Sequence, residues 1–307
     1  MLNFISDTTD RLDKFLANKI AGVSRGKIQQ AIKNGLVLVN NQINLETDFK
    51  IHENDKIELP EFGQEKLEIL DLDLKIAFQN QDLIVIDKPA GLVVHPAAGH
   101  KQDTLVNALI NKFPEVKNVG PGTRPGIVHR LDEDTSGLIV VAKNQISFDY
   151  LKNLFQTRAI QKEYLTLVHG HMSDLRGIID TPIGKTSTHQ KMRVGVGRPA
   201  MTEYKVLDEV KFGVDQFSLL RVKLHTGRTH QIRVHLSSIG NPVVGDQLYG
   251  AKFKQTDSKL IDRQFLHAYK LKFKLMDGTW LGLTSVLPQE LKQALLHIGI
   301  SYDDAII

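Results

Sequence analysis

The chain has 307 residues, 41% of them hydrophobic, and a formal charge of +4. That length favours two domains over a single core. No run approaches the roughly 18 apolar residues of a membrane span, and the first ten residues lack the basic and apolar sections of a secretion signal, so a cytoplasmic protein with no membrane partner is expected. The absence of cysteine excludes disulfides, thiolate metal sites and a cysteine nucleophile.

The first sixty residues read as a small module. Leu12, Phe15 and Leu16 share one helical face, Ser24 offers an N-cap to a second helix, and Ile28 and Ile32 follow at i, i+4. Gly35 suits the residue that closes that helix, and Val37 to Val39 form a short strand turned at Asn40 and Asn41. The expected order is helix, helix, hairpin. Arg11, Lys14, Lys19, Arg25, Lys27 and Lys33 face the single acid Asp13 in residues 11–36, which makes this a basic surface able to attract phosphates or simply to be solvated.

The module resembles an S4 RNA-binding domain. The resemblance is carried by Arg11-Leu12-Asp13-Lys14-Phe15-Leu16, Ser24-Arg25, Ile32-Lys33-Asn34-Gly35 with Val37, Val39 and Asn40, and Asp55-Lys56-Ile57. Asn54 stands where that family usually has glycine, a mild departure because Asn tolerates left-handed backbone angles. Pro60, Gly63 and an acid-rich run mark a connection. The expected division is an S4-like domain over 1–62, a linker or domain entry over 63–75 and a second domain over 76–307.

Beyond the linker, apolar runs at 83–86, 137–142, 164–168 and 219–224 alternate with Gly and Pro turns and read as strands. Helical patterns are fewer, at 103–112, 147–157 and 229–239. More strands than helices, without regular alternation, predicts an α+β fold over a doubly wound sheet.

Two polar constellations stand out. His129-Arg130-Leu131-Asp132-Glu133-Asp134-Thr135-Ser136-Gly137 lies between two apolar segments, where a scaffold can present reactive groups, although Asp, Thr, Ser and Gly are also ordinary turn residues. The stretch from Thr226 to Leu236 leaves a strand, turns at Gly227 and enters a helix that Thr229 is expected to cap, with Ile232, Leu236 and Ile239 as its buried face and Gly240 as its end. Arg233 lies about 100° round from Ile232, at the margin of that stripe, from where it can pair with a carboxylate. The spacing of five between His225, His230 and His235 suits neither helical nor strand ligand geometry, so no metal site is expected.

These motifs together resemble the pseudouridine synthases that modify large-subunit ribosomal RNA, and the match runs through the second domain. It includes Asp87-Lys88-Pro89-Ala90-Gly91 with Val94-His95-Pro96, Gly126 to Asp132 with Asp134 to Gly137, and Lys162-Glu163-Tyr164. Further on come the Thr226 segment, Pro242-Val243-Val244-Gly245-Asp246 with Leu248-Tyr249-Gly250, and Leu266-His267-Ala268. The S4-like module and His95-Pro96-Ala97-Ala98-Gly99 point to the synthase D type within that family.

The resemblance implies a catalytic domain built on a mixed, mainly antiparallel sheet flanked by helices and loops, behind a small α/β S4-like domain. It implies Asp132 as catalytic aspartate, Arg233 as its paired arginine, Tyr164 as the tyrosine stacking on the uracil, and Arg130 as the arginine entering the space the base vacates. Leu266 would form part of the apolar floor, with His129 and Arg228 beside the substrate. The basic residues Arg25, Lys27, Lys33, Lys185, Lys191 and Arg193 would hold RNA phosphates. Glu133, where many relatives carry lysine, puts local RNA contacts in doubt more than chemistry.

The implied reaction turns uridine into pseudouridine and consumes nothing, so no cofactor is expected. The aspartate either attacks covalently or removes a sugar proton. The target base has to be flipped from its stack. A monomer acting on structured ribosomal RNA or precursor particles is the expected assembly. The competing readings are a non-catalytic RNA-binding or ribosome-assembly protein and a glycosidase-like hydrolase using Asp132. Adjacent side chains in an extended segment point to opposite faces, so Glu133 is a poor partner acid and Asp134 is left for that role.

Overall fold

The computed structural model describes all of the chain except residues 21–22, 24, 63–69, 97–99, 101, 123, 187–190, 254–256, 258–259 and 303–307. The expected N-cap at Ser24, residues 63–69 of the connection, Ala97 to Gly99 and the middle of the 185–193 loop lie outside the described residues. The chain falls into two compact units, Met1–Asp71 with His95–Gly126, and Leu72–Val94 with Ile127–Ile307.

In the first unit, helices α1 (Leu12–Lys19) and α2 (Arg25–Lys33) accompany a small sheet. Its strands are β1 (Leu2–Ile5), β3 (Leu38–Val39), β4 (Gln42–Ile43) and β6 (Lys56–Leu59), in the order β1-β6-β3-β4. The short strands β2 (Asp10–Arg11) and β5 (Lys50–Ile51) pair separately. The expected helical faces form the core: Leu12, Phe15, Leu16, Ile28 and Ile32 are buried with Val37, Val39, Ile51 and Ile57.

Local backbone chemistry closes these elements. Gly35, at φ +71°, donates its amide to Ile32 while Leu36 donates to Ala31; this is the paired closure of a helix that needs a left-handed residue. Asn40 and Asn41 both have positive φ, and Val39 faces Gln42 across them, a two-residue hairpin turn of the kind that matches strand twist. Asn54 occupies the left-handed region at φ 71°, where asparagine replaces glycine at little cost. The same unit contains α3 (Leu105–Lys112), opened by a capping box between Thr104 and Asn107.

Among the described residues of the second unit, nine strands form one sheet in the order β11-β14-β15-β10-β16-β9-β8-β7, with β17 attached to β16. They are β7 (Ile76–Gln79), β8 (Leu83–Lys88), β9 (Ser136–Ala142), β10 (Gln161–His169), β11 (Arg176–Asp180), β14 (Met201–Phe212), β15 (Asp215–Leu224), β16 (Leu266–Lys274) and β17 (Trp280–Thr284). A separate hairpin joins β12 (Ile183–Lys185) to β13 (Met192–Val194). Every neighbouring pair in the large sheet is antiparallel except β16 with β9, so the fold is α+β with a mixed, mainly antiparallel sheet.

The continuous apolar run of β9 is buried at all seven positions, as expected of a strand covered on both faces. Helices α4 (Gln145–Gln156), α5 (Gln231–Ser238) and α6 (Gln289–His297) belong to the same unit. Helix α6 and the long β14–β15 ladder were not anticipated from the pattern.

Two expectations about α5 need correction. Its N-cap is His230, at φ 54° and without a side-chain cap, rather than Thr229. The side chain of Gln231 instead accepts the Arg228 amide and the Thr226 hydroxyl, so it organises the turn that Thr229 was expected to close. Ile239 is 43% exposed, outside the core. Helix α5 is buried at every position from Gln231 to Leu236, and a helix enclosed on most sides has no single stripe for a spacing argument to find.

Candidate active site

Asp132 lies in the connection that enters β9, and the rest of the second unit holds that connection by its backbone. The Asp132 carbonyl accepts the Thr135 amide at 3.1 Å. Lys88, only 1% exposed, donates to the carbonyls of Pro89, Leu92 and Glu133 at 2.7, 2.9 and 2.8 Å. All three ammonium protons therefore have an acceptor. Burial draws this lysine down to about 7, against the opposing charge of Asp134. Arg263 donates to the Asp134 carbonyl and Gln264 to the Thr135 hydroxyl. Gly137, at φ 110°, packs so closely on the Ala268 backbone of β16 that a side chain has no room. The connection is thereby fixed at the start of the one parallel pairing in the sheet.

Arg233 projects from α5 and joins two carboxylates. One guanidinium nitrogen lies 3.0 Å from Asp132 Oδ2, and the other two bind Asp246 at 2.7 and 2.9 Å. Asp246 is fully enclosed, and its Oδ1 also accepts the Leu248 and Tyr249 amides. Burial pushes the Asp246 carboxyl up, but the Arg233 hydrogen bonds and charge, with those two amides, outweigh it and hold the group below the usual carboxylate range. Burial would likewise lower Arg233, yet Asp246 and then Asp132 hold it above its ordinary value. Asp132 keeps 16% of its side chain exposed. It is thus the member of the triad that a ligand can reach.

Asp246 is a site residue that sequence reasoning missed. Its segment was quoted as a motif, yet nothing in residue spacing shows that a buried guanidinium thirteen positions earlier needs a second acid. His230 is another: its Nε2 lies 3.9 Å from Asp132 Oδ1, and its Nδ1 lies 3.0 Å from the Tyr249 hydroxyl, which accepts the Met192 amide. Burial lowers this histidine, opposed by Asp132. The Arg233 guanidinium stands 5.4 Å from the Tyr249 ring.

Tyr164 on β10 is 7% exposed. Burial, and then the charge of Asp132, push its hydroxyl above the ordinary tyrosine value, so it stays neutral. Leu266 is buried opposite Thr166, on the same sheet face as Tyr164. Arg130 is exposed, and its charge acts on His230.

His129 turns inward: its Nε2 accepts the Val140 amide at 2.9 Å, and its ring stacks on Phe155 at 4.5 Å. An accepting Nε2 carries no proton, in keeping with burial lowering the group to about 3. Arg228 donates to the Pro199 carbonyl. Lys185, Lys191 and Arg193 are exposed on the β12–β13 hairpin.

Arg25, Lys27 and Lys33 belong to the first unit. Lys33 is exposed, whereas Arg25 donates to Asp13, a fully buried carboxylate that also accepts from Arg11 and Gln29. The three histidines weighed as ligands do separate work: His225 pairs with Glu203, and His235 contacts Thr202 and Thr181.

A family model described as RNA pseudouridylate synthase matches residues 82–238, and an S4 domain model matches residues 10–57. The chain is 39% identical to an Aquifex aeolicus protein named as an uncharacterized RNA pseudouridine synthase, over 92% of each chain. It is also 39% identical to the Ribosomal large subunit pseudouridine synthase D of Zymomonas mobilis, over 95% of this chain and 94% of that one. Among solved structures, the human RNA Pseudouridylate Synthase Domain Containing 1 superposes with a TM-score of 0.56 at 27% identity, covering 80% of this chain and 99% of that one.

Proposed function

The chain belongs to the RNA pseudouridylate synthase family, and from that membership we propose that it converts specific uridines of large-subunit ribosomal RNA to pseudouridine with Asp132 as its catalytic carboxylate. The observation that carries the reading is the buried Arg233, which holds Asp132 at 3.0 Å while a second, enclosed carboxylate fixes its other two nitrogens. Of the two carboxylates bound by this guanidinium, Asp132 is the one left open to a ligand. The relative named for the large ribosomal subunit supports the choice of RNA.

In the reaction the bond between N1 and the ribose breaks, the uracil turns, and C5 bonds to the sugar. N1 gains a proton, and the hydrogen of C5 leaves to solvent. Asp132 either attacks covalently or takes a proton from the sugar; in both routes it acts as a charged base or nucleophile close to the ribose. Tyr164, neutral and on the face shared with Leu266, suits stacking on the unstacked base, an interaction worth about 1–3 kcal/mol. Arg130, exposed beside the site, suits the gap left in the RNA. Extrusion of the base costs a few kcal/mol; Lys185, Lys191, Arg193, Arg228 and the basic residues of the first unit offset it through phosphates. His129, half-buried, supports the connection that carries Asp132 through its contacts with Val140 and Phe155.

The proposed organisation is an S4 domain over 1–62, a connection over 63–75 and a catalytic domain over 76–307, working as a monomer in the cytoplasm. Among the described residues no helix is long and apolar enough to cross a membrane. Pseudouridine maps of large-subunit ribosomal RNA from cells with and without this chain test the function. Loss of signal in a large-subunit stem-loop is expected, and an unchanged map contradicts the reading.

A further inference from the structure

Lys162 lies two residues before Tyr164 on β10 and therefore faces the same side of the sheet. Its ammonium is partly enclosed, and among the described residues it has no hydrogen-bond acceptor and no carboxylate. Its ammonium lies over the Phe155 ring, 5.4 Å from the centroid, a contact that is weak beside a hydrogen bond to a charged acceptor. The His129 ring also stacks on Phe155, and it feels the lysine's charge. Lys88, Arg228, Arg233 and Arg263 each have an anionic or carbonyl partner; half-buried Lys162 has none among the described residues, so the water its ammonium gives up is not replaced by a protein acceptor. Burial accordingly draws the group down to about 8, which still leaves it mostly charged at neutral pH.

Gly227 supplies a second, independent observation. Its backbone lies outside the left-handed region, so the turn does not require glycine, and the only atom that an added side chain would meet within 4 Å is Lys162 Nζ, at 3.6 Å. The missing side chain keeps open the space directly in front of the ammonium. An unpaired cation with cleared space before it, on the face of Tyr164, fits a compact anion. A lysine binds phosphate as a point charge and does not require the planar fork of arginine.

We propose that Lys162 is a substrate-binding residue that takes a phosphodiester of the RNA next to the unstacked uridine, in the space that Gly227 keeps open. The inference rests on the isomerase reading, since that reading supplies the RNA strand at Tyr164. The test measures binding of in-vitro-transcribed large-subunit ribosomal RNA against salt concentration for the wild-type chain, Lys162→Met and Lys162→Arg. Loss of one phosphate contact makes the slope of log affinity on log salt shallower by roughly 0.7 to 0.9. That change is expected for Lys162→Met, with the wild-type slope kept by Lys162→Arg. Lys162→Met should also melt at or above the wild-type temperature, because a desolvated charge is removed.

Gly227→Ala should weaken binding several-fold without a change in melting. An unchanged slope in Lys162→Met overturns the proposal, as does a lowered melting temperature with normal binding. A contact to a uracil carbonyl releases no counterion, so it too leaves the slope unchanged. A wild-type chain that binds the transcript with the predicted slope but isomerises no uridine refutes the isomerase reading instead, while an active enzyme with an unaltered Lys162→Met slope refutes only the phosphate contact.

Discussion

Arg233 divides its guanidinium unequally: two nitrogens go to the enclosed Asp246 and one to the reachable Asp132. Removing the arginine leaves Asp246 buried without its counter-charge, a change that typically costs about 3–5 kcal/mol. Arg233→Ala is therefore expected to lose stability as well as activity, and a thermal melt beside a turnover assay checks both. A variant that melts like the wild type contradicts the pairing. Arg233→Lys should rescue little, because a single ammonium does not span both carboxylates. The helical position of Arg233 suggested that it pairs with a carboxylate, and the family resemblance implied that Asp132 is that partner. The arginine's stronger partner was not anticipated, since Asp246 follows a loop and meets Arg233 only once β15, α5 and that loop have folded together. The contact of His129 Nε2 with the Val140 amide had no local signal either, since the two residues are eleven apart.

Between elements, the clearest polar joint is Asp13, which ties α1 to α2 through Arg25 and Gln29 and also binds Arg11. Burial pushes this carboxyl up, but the hydrogen bonds from Arg11, Gln29 and Arg25 prevail and bring it from 3.8 to about 2. A depressed carboxylate stabilises the folded form fully above its unfolded value, so the clasp is intact above pH 3.8 and is lost as the pH falls toward about 2. Asp13→Ala is expected to destabilise the first unit by about 2 kcal/mol at neutral pH, and its stability should lose the acid dependence that the wild type shows in that window. An identical acid limb in both proteins contradicts the clasp. The helices themselves were legible from Leu12, Phe15, Leu16, Ile28 and Ile32, because a surface helix leaves a stripe. Helix α5 was legible in existence and not in orientation: with Gln231, Arg233 and His235 buried beside Ile232 and Leu236, polar residues fill positions that a spacing argument assigns to solvent.

Across the whole molecule, the strands that read as apolar runs are β8, β9, β10 and β15, whereas β7, β11, β14 and β17 toward the flanks and β16 between β10 and β9 escaped notice. Strand β14 alternates buried and half-buried residues over its first half and then loses the alternation at a register shift between Val206 and Asp208, which hides it from a period-two search. The α+β class followed from the count of runs, but the parallel pairing of β16 with β9 joins His267 to Ser136, 131 residues apart, and has no local signal. The function was readable because its residues lie in contiguous motifs; the support for those motifs, from Lys88, Arg263, Gln264 and Asp246, is tertiary and became visible only in the fold.

The whole arrangement converges on one carboxylate, and release of tritium from RNA labelled at uridine C5 measures its work directly. Asp132→Asn keeps the shape and an acceptor for Arg233 while removing the charge, so it should bind RNA and melt close to the wild type yet release no tritium above background. Release at the wild-type rate by Asp132→Asn contradicts the assignment.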